Sequence, residues 1–392
     1  MKKLYTADWI LPVSEKPMRN GAILVENGLI TDVNHAAILS KRYNILPEKF
    51  EKSVIAPAWV NAHCHLELSY LKNLVSLGGS FTSWVRSLVS AREENIEAGR
   101  MQEFFTNELA KLSKTGTALI GDLTNGAFLE PVESATERVV FYELLGFQKE
   151  KAHDLYNNAL AQIEPFRGEI HLAPHALYST SAELVRLILD HETVSTIHVS
   201  ESPDEMILLN DGSGPFRKFL EERNVWDKAW KIPGHSPVQY LKTTGVLDKK
   251  LLLVHGIYFT QDDMMLVKKA GNTVCLCVRS NNTLGAGMPA VYDLMEHQIP
   301  LCIGTDSLAS NHDLDMNEEV AYLSACFPGL DHAEILKMGT LNGAEALGKG
   351  HEYGALSKGR KARFNVFSGT EIKNMKPETF IVTKSWSTLT CY

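Results

Sequence analysis

Apolar residues fall into two patterns along this chain, and the change between them marks its organisation. Up to about residue 56 the runs are short and cut by turns: Trp9-Ile10-Leu11-Pro12-Val13, then Ala22-Ile23-Leu24-Val25-Glu26, then Leu29-Ile30-Thr31-Asp32-Val33. Asn27-Gly28 between the last two supplies the left-handed residues of a tight turn and predicts a hairpin. The far end repeats the style, with Gly354-Ala355-Leu356, Phe364-Asn365-Val366-Phe367 and Thr379-Phe380-Ile381-Val382. Together the two ends predict one small β-sandwich domain, residues 1–56 plus 353–392.

Between them, apolar runs of strand length recur at 54–60, 117–121, 139–145, 170–174, 193–199, 251–254, 273–278 and 301–304. The intervening stretches mostly place apolar residues at helical period, as in 81–91, 101–112, 182–189 and 262–269. Eight strands alternating with helices over roughly 300 residues predict an α/β fold, a (β/α)8 TIM barrel spanning 57–352, with working residues at the carboxyl ends of its strands. A doubly wound sheet would alternate similarly, but no glycine-rich phosphate loop follows the first run. One longer interruption, 224–247, contains Trp226, Trp230, Pro233-Gly234-His235-Ser236-Pro237 and Tyr240, and is a candidate lid or pocket wall.

Composition acts mainly by exclusion. The net charge of −8, with no clustered lysine and arginine, argues against a nucleic-acid surface or a membrane-facing patch. Six cysteines are too few for a disulfide scaffold in 392 residues. Four of them sit inside apolar runs, Cys275 and Cys277 included, and read as reduced core thiols. No run approaches the ~18 apolar residues of a membrane span, and the opening Met1-Lys2-Lys3-Leu4-Tyr5-Thr6 breaks off before signal-peptide length. A cytoplasmic protein acting on a small molecule is the expectation.

Four run-ending segments carry the chemistry: Asn61-Ala62-His63-Cys64-His65, His198-Val199-Ser200-Glu201, Val254-His255-Gly256 and Gly304-Thr305-Asp306-Ser307. Residues two apart on a strand share a face, so His63 and His65 can grip one ion while Cys64 points away. His63, His65, His198 and Asp306 form a ligand set suited to one divalent ion, zinc by preference, with iron or manganese compatible. Such an ion would lower the pKa of a bound water from about 15.7 towards 7. Hydrolysis at an aromatic C–N bond also needs protons delivered to the ring nitrogen and to the leaving amine. Glu201 is placed to shuttle them, with His255 holding the nucleophile or stabilising charge and Asp306 sharing the proton transfer. The fourth run, Ile170-His171-Leu172-Ala173-Pro174-His175, offers neither a carboxylate nor a lysine to bridge a second ion, so one metal is expected. His171 reads as hydrogen-bonded structure. Glu67 and Glu143 stay open between pocket carboxylates and buried ion pairs, and Arg279, Ser280 and Asn281 are candidate substrate contacts after the seventh run. Arg86 and Arg92 are candidates for a substrate carboxylate.

These segments resemble the amidohydrolase superfamily over almost the whole chain, and within it the aminohydrolase branch. Pro57-Ala58-Trp59-Val60-Asn61-Ala62-His63-Cys64-His65 is similar to its strand-one motif, and Ala173-Pro174-His175-Ala176-Leu177-Tyr178 to its strand-four substrate motif. The resemblance implies that His175 and Tyr178 face the substrate, with Ser307 beside them. It also implies that His198 and Asp306 are ligands and that Glu201 and His255 are catalytic. His65-Leu66-Glu67-Leu68-Ser69, Asp211-Gly212-Ser213-Gly214-Pro215-Phe216 and Ser307-Leu308-Ala309-Ser310-Asn311 resemble the 6-aminodeoxyfutalosine deaminases of menaquinone biosynthesis. The implied reaction is hydrolytic loss of an adenine 6-amino group as ammonia. Deamination of another purine or pyrimidine, hydrolysis of a halotriazine or cyclic amide, and a non-enzymatic scaffold are the competing readings. Barrels of this kind often pair, which keeps a homodimer open.

Overall fold

A computed structural model of the chain describes residues 2–95, 97–166 and 168–392. The expected apolar runs form parallel strands: β1 Trp59–Cys64, β2 Thr117–Thr124, β3 Glu137–Leu144, β4 Ile170–Pro174, β5 Ser195–Val199, β6 Leu251–His255, β7 Thr273–Leu276 and β8 Leu301–Ile303. Every residue of β1, β2, β5, β6 and β8 is buried, which is why they read as continuous apolar runs rather than alternating ones. They make two four-stranded sheets, β4-β3-β2-β1 and β5-β6-β7-β8. The sheets meet through isolated parallel bridges, Cys64 with Asp306 and Ala176 with His198. Both seams thus fall among the residues picked out for chemistry.

The expected helices form with local reasons for their starts. Ser80 caps Phe81–Glu94 by accepting from Ser83 N–H, Ser181 caps Ala182–His191, and Thr260 with Asp263 makes a capping box for Gln261–Ala270.

Two further sheets lie outside the eight strands. One holds Lys2–Thr6, Gly21–Glu26, Leu29–His35 and Glu48–Lys49. The other combines Trp9–Ile10, Met18–Arg19 and Ser53–Pro57 with Phe364–Ser368 and Thr388–Cys391 from the far end. The hairpin turns at Asn27 (φ 52°) and Gly28 (φ 77°), as a type I′ turn requires. Tyr5, Ile10, Ile23, Ile55 and Phe364 share one apolar cluster.

Two expectations are corrected. Residues 54–60 are not one strand: Ser53–Pro57 pairs antiparallel with Phe364–Ser368, whereas Trp59 N–H donates to Gly116 O (2.8 Å) and starts β1 beside β2. Pro57, with no N–H to offer a ladder, ends the first element. An apolar run states burial and not which sheet it joins. Residues 379–382 are no strand either; they close the helix Pro377–Val382, whose proline occupies the first turn.

His171 on β4 is structural. Its Nδ1 lies 2.9 Å from Glu192 and its Nε2 3.3 Å from Glu169. Burial lowers its proton affinity, but hydrogen bonds to the two carboxylates outweigh burial and raise the pKa above 6.5. The stabilisation is therefore full below the unfolded value of about 6.5 and fades as pH rises through the folded value. His171→Gln is expected to cost about 1 kcal/mol at mildly acidic pH and to converge on the parent at alkaline pH in denaturant titrations.

Candidate active site

The strand ends bring the predicted ligands together. His63 Nε2 lies 3.2 Å from His198 Nε2, and Asp306 Oδ1 lies 3.9 Å from His63 Nε2 and 3.7 Å from His65 Nε2. The seams hold this geometry. Thr305 and Asp306 N–H groups donate to His63 O at 3.0 and 3.1 Å, and Asn61 grips Thr305 through its N–H (3.1 Å) and hydroxyl (2.6 Å). A Cβ on Gly304 would lie 2.8 Å from His63 Cβ, so only glycine lets β8 approach β1 this closely. Ser280 and Ser310 hydroxyls donate to Asp306 Oδ2 at 2.6 and 2.7 Å, leaving Oδ1 turned towards the histidines. His198 Nδ1 donates to the His175 carbonyl at 2.9 Å, so the lone pair of Nε2 faces the cluster. Ser200 (φ 53°), His255 (φ 74°) and Asp306 (φ 59°) all adopt left-handed backbone beside the cluster.

This donor set fits a divalent cation. His63, His65 and His198 offer ring nitrogens close enough to share an ion, and zinc–nitrogen bonds of about 2.0–2.1 Å would set neighbouring donors roughly 3.3–3.4 Å apart. Burial pushes His63 well down, His65 to about 3 and His198 down, so all three are neutral, the form that ligates. Burial would raise Asp306, but its electrostatic coupling to the neighbouring His65 and His255 rings and the two serine hydroxyls that donate to Oδ2 outweigh it and lower its carboxyl below the ordinary value. Glu143, His175 and His198 form a second close trio. There Glu143 Oε1 is 3.5 Å from the nitrogen that His198 already spends on His175, so the trio braces His198 from behind.

Beside the cluster, Glu201 Oε1 lies 3.2 Å from His255 Nε2, both side chains buried. Burial, with Asp306, Glu205 and Glu143 adding to it, pushes the Glu201 carboxyl well above the usual range. Burial takes His255 down to about 4. Behind them, Asn281 Oδ1 is 2.9 Å from His255 Nδ1, and Glu205 accepts from Glu201 N–H at 2.9 Å.

A cavity of about 120 Å³ opens onto this cluster, lined by His65, His198, Glu201, His255 and Asp306 at its floor. Of the predicted substrate contacts, His175, Tyr178 and Ser307 line it. Glu67, Arg279 and Asn281 do not. Glu67 is spent on Arg92 (3.1 Å) and Asn125 N–H (2.9 Å), Arg279 is bidentate to Asp313 (2.6 and 3.0 Å), and Asn281 orients His255. Arg92 reaches the cavity, as does Glu143, while Arg86 pairs with Glu222 outside it. Residues 224–247 are not its lid. Trp226 and Trp230 pack on Phe147 at 5.3 and 5.4 Å, and the wall is instead Trp84, Val85, Leu88 and Val89 from Phe81–Glu94. The signal for that wall was available: a helix whose apolar stripe lies next to the chemistry-bearing strand β1 in sequence.

The description of the amidohydrolase family matches residues 54–391. An aminodeoxyfutalosine deaminase from Deinococcus radiodurans is 26% identical over 365 residues, covering 88% of this chain and 86% of the relative. Another, from Nitratiruptor sp., is 30% identical over 346 residues, covering 83% and 81%. The solved structure of Helicobacter pylori aminofutalosine deaminase in complex with methylthio-coformycin superposes with a TM-score of 0.82 at 22% identity, over 97% of this chain and 95% of that one. At that identity the likeness is one of fold, an α/β fold of TIM-barrel type.

Proposed function

The chain belongs to the amidohydrolase family, and on that premise we propose that it is a metal-dependent hydrolytic deaminase. Its substrate is an adenine nucleoside derivative, aminodeoxyfutalosine-like, whose exocyclic amine leaves as ammonia. The single observation that carries the reading is the meeting of a neutral three-histidine, one-carboxylate cluster with the Glu201–His255 pair at the floor of one cavity. His63, His65, His198 and Asp306 would hold one divalent cation, zinc by preference, and when bound it supplies an acidified water.

The protein's own groups do the rest. Glu201, whose burial raises its affinity for a proton, takes one from the attacking water and delivers it to the ring nitrogen next to the reacting carbon. The water oxygen is then bonded to that carbon as a hydroxyl, and Glu201 passes the hydroxyl's proton to the exocyclic amine, so that the C–N bond breaks and ammonia leaves. His255, neutral and fixed by Asn281, orients the water, and Asp306 shares the transfer. His175, its Nδ1 2.6 Å from the Ser179 hydroxyl, is fixed to meet the base, with Ser307 and Tyr178 beside it.

The same proposal includes a (β/α)8 barrel over 57–352 carrying a β-sandwich from 1–56 and 353–392, and a reducing, cytoplasmic setting. Free Cys64, Cys275, Cys277 and Cys302, all buried, support the last point. Among the described residues no helix is long and apolar enough to cross a membrane.

The test is a product assay over adenosine, 5′-methylthioadenosine, aminodeoxyfutalosine, guanine, cytosine and a halotriazine. Stoichiometric ammonia from an adenine nucleoside is expected. Chloride or a ring-opened carboxylate as the product, with no ammonia from any nucleoside, contradicts it.

A further inference from the structure

Glu201 stands three residues after His198, and both line the floor of the same cavity. Along an extended strand, residues three apart face opposite ways. β5 ends at Val199, so the chain has to turn before Glu201 for both side chains to point at the cluster. Ser200 makes that turn, fully buried and with a left-handed backbone of φ 53°. A residue with a Cβ disfavours this conformation, so contacts around the turn must hold it.

The end of β6 holds one side. Gly256 N–H donates to Val199 O and Tyr258 N–H to Ser200 O, both at 3.1 Å. On the other side, the N–H groups of the turn go to one carboxyl. Glu205 Oε2 accepts from Glu201 N–H at 2.9 Å, and Ser200 N–H adds a weaker bond to the same carboxyl. Successive N–H groups beside a left-handed residue make a concave seat for an anion, and here the protein fills it with its own side chain. Glu205 is completely buried, and its Oε1 has no hydrogen-bond partner among the described residues. A buried carboxyl with one oxygen unsatisfied is costly. Capping of the helix Pro203–Asp211 does not account for it. That helix already has Ser202 as its cap, accepting from Glu205 N–H at 3.2 Å, and a proline in its first turn. In a capping box the third helical residue reaches back to the N–H of the cap itself. Glu205 is that third residue, yet the N–H groups it takes belong to the two residues before the cap.

We propose that Glu205 is a positioning residue for the deamination, whose carboxyl pins the turn at Ser200 and so aims Glu201 at His255 and the attacking water. The proposal rests on the deaminase reading, in which Glu201 carries the protons. Reach is the property it requires, because the turn needs an oxygen within hydrogen-bond distance of its N–H groups. An amide oxygen on a side chain of equal length supplies that without the charge. A carboxylate one methylene shorter keeps the charge and falls short.

The experiment measures ammonia release from adenine nucleosides by the full chain loaded with zinc, carrying Glu205→Gln, Glu205→Asp or Glu205→Ala. Turnover is expressed per zinc bound, and thermal melts are run on the same samples. Glu205→Asp and Glu205→Ala are expected to lower kcat by about 10²-fold with KM little changed, the size of effect that a misplacement of roughly 1 Å produces. Glu205→Gln is expected to stay within about threefold of the parent. A role in stability alone would lower the melting temperature and leave kcat per zinc at the parent value. Parent-like kcat in Glu205→Asp, a loss carried by KM, or a Glu205→Gln that falls as far as Glu205→Asp each overturns the proposal and leaves the deaminase reading standing. No ammonia from the parent protein on any adenine nucleoside overturns both.

Discussion

Glu201→Gln is expected to lower kcat by roughly 10²–10⁴-fold while the protein keeps its metal and its fold. The substitution preserves shape and removes only the ability to carry a proton. Glu201 is not among the side chains closest to a shared ion, so metal content should match the parent. Its carboxyl is buried beside Asp306, Glu205 and Glu143, all of which disfavour its charge. A neutral amide there relieves like-charge crowding, so the melting temperature should hold or rise. The loss should fall on kcat, because the proton transfers belong to the transition state. Ammonia release, metal analysis and thermal melts on one preparation check the three parts. Parent-like turnover in this variant would remove the proposed shuttle.

His255→Ala comes second in size, with an expected loss of roughly 10²–10⁴-fold in turnover. His255 is buried at the end of β6 with a left-handed backbone, a conformation that costs energy and is held in place by its surroundings. Asn281 orients the ring and touches no part of the cavity, which makes it a positioning residue. Asn281→Ala should therefore lower kcat by a smaller factor than His255→Ala, with KM little changed. If Asn281→Ala raised KM while kcat stayed at the parent level, Asn281 would be reading substrate, as the sequence suggested, and its orienting role would fall.

The ligand cluster was legible in the sequence because its residue types are rare at strand ends and their chemistry is specific. Two histidines two apart, a histidine three before a glutamate, and an aspartate after Gly-Thr make sense together only around a common ion. Ion pairing was illegible. Glu67 stayed open between a pocket carboxylate and a buried ion pair, and Arg279 looked like a substrate contact, since nothing in the linear order says that Arg92 and Asp313 pair with them. Asn281, in the helix Val278–Leu284, bonds His255 at the end of β6, a pairing that the linear order does not show. Burial was read correctly for residues 54–60, but the choice between two sheets is made by pairing with Phe364–Ser368, far along the chain. The tryptophans of 224–247 suggested a lid, and they pack instead on Phe147. Ser280 reads in the sequence as a candidate substrate contact, and it instead joins Ser310 in orienting Asp306, a pairing that the linear order does not show.

In the proposed enzyme, four separated segments clasp one cation that activates water for deamination. The direct test removes metal with a chelator, then follows ammonia release from an adenine nucleoside during titration with zinc. Activity should vanish in the stripped protein, return linearly and level off at one equivalent per chain, and His63→Ala should show no return. Full activity in the stripped protein, or a plateau only at two equivalents, would contradict it.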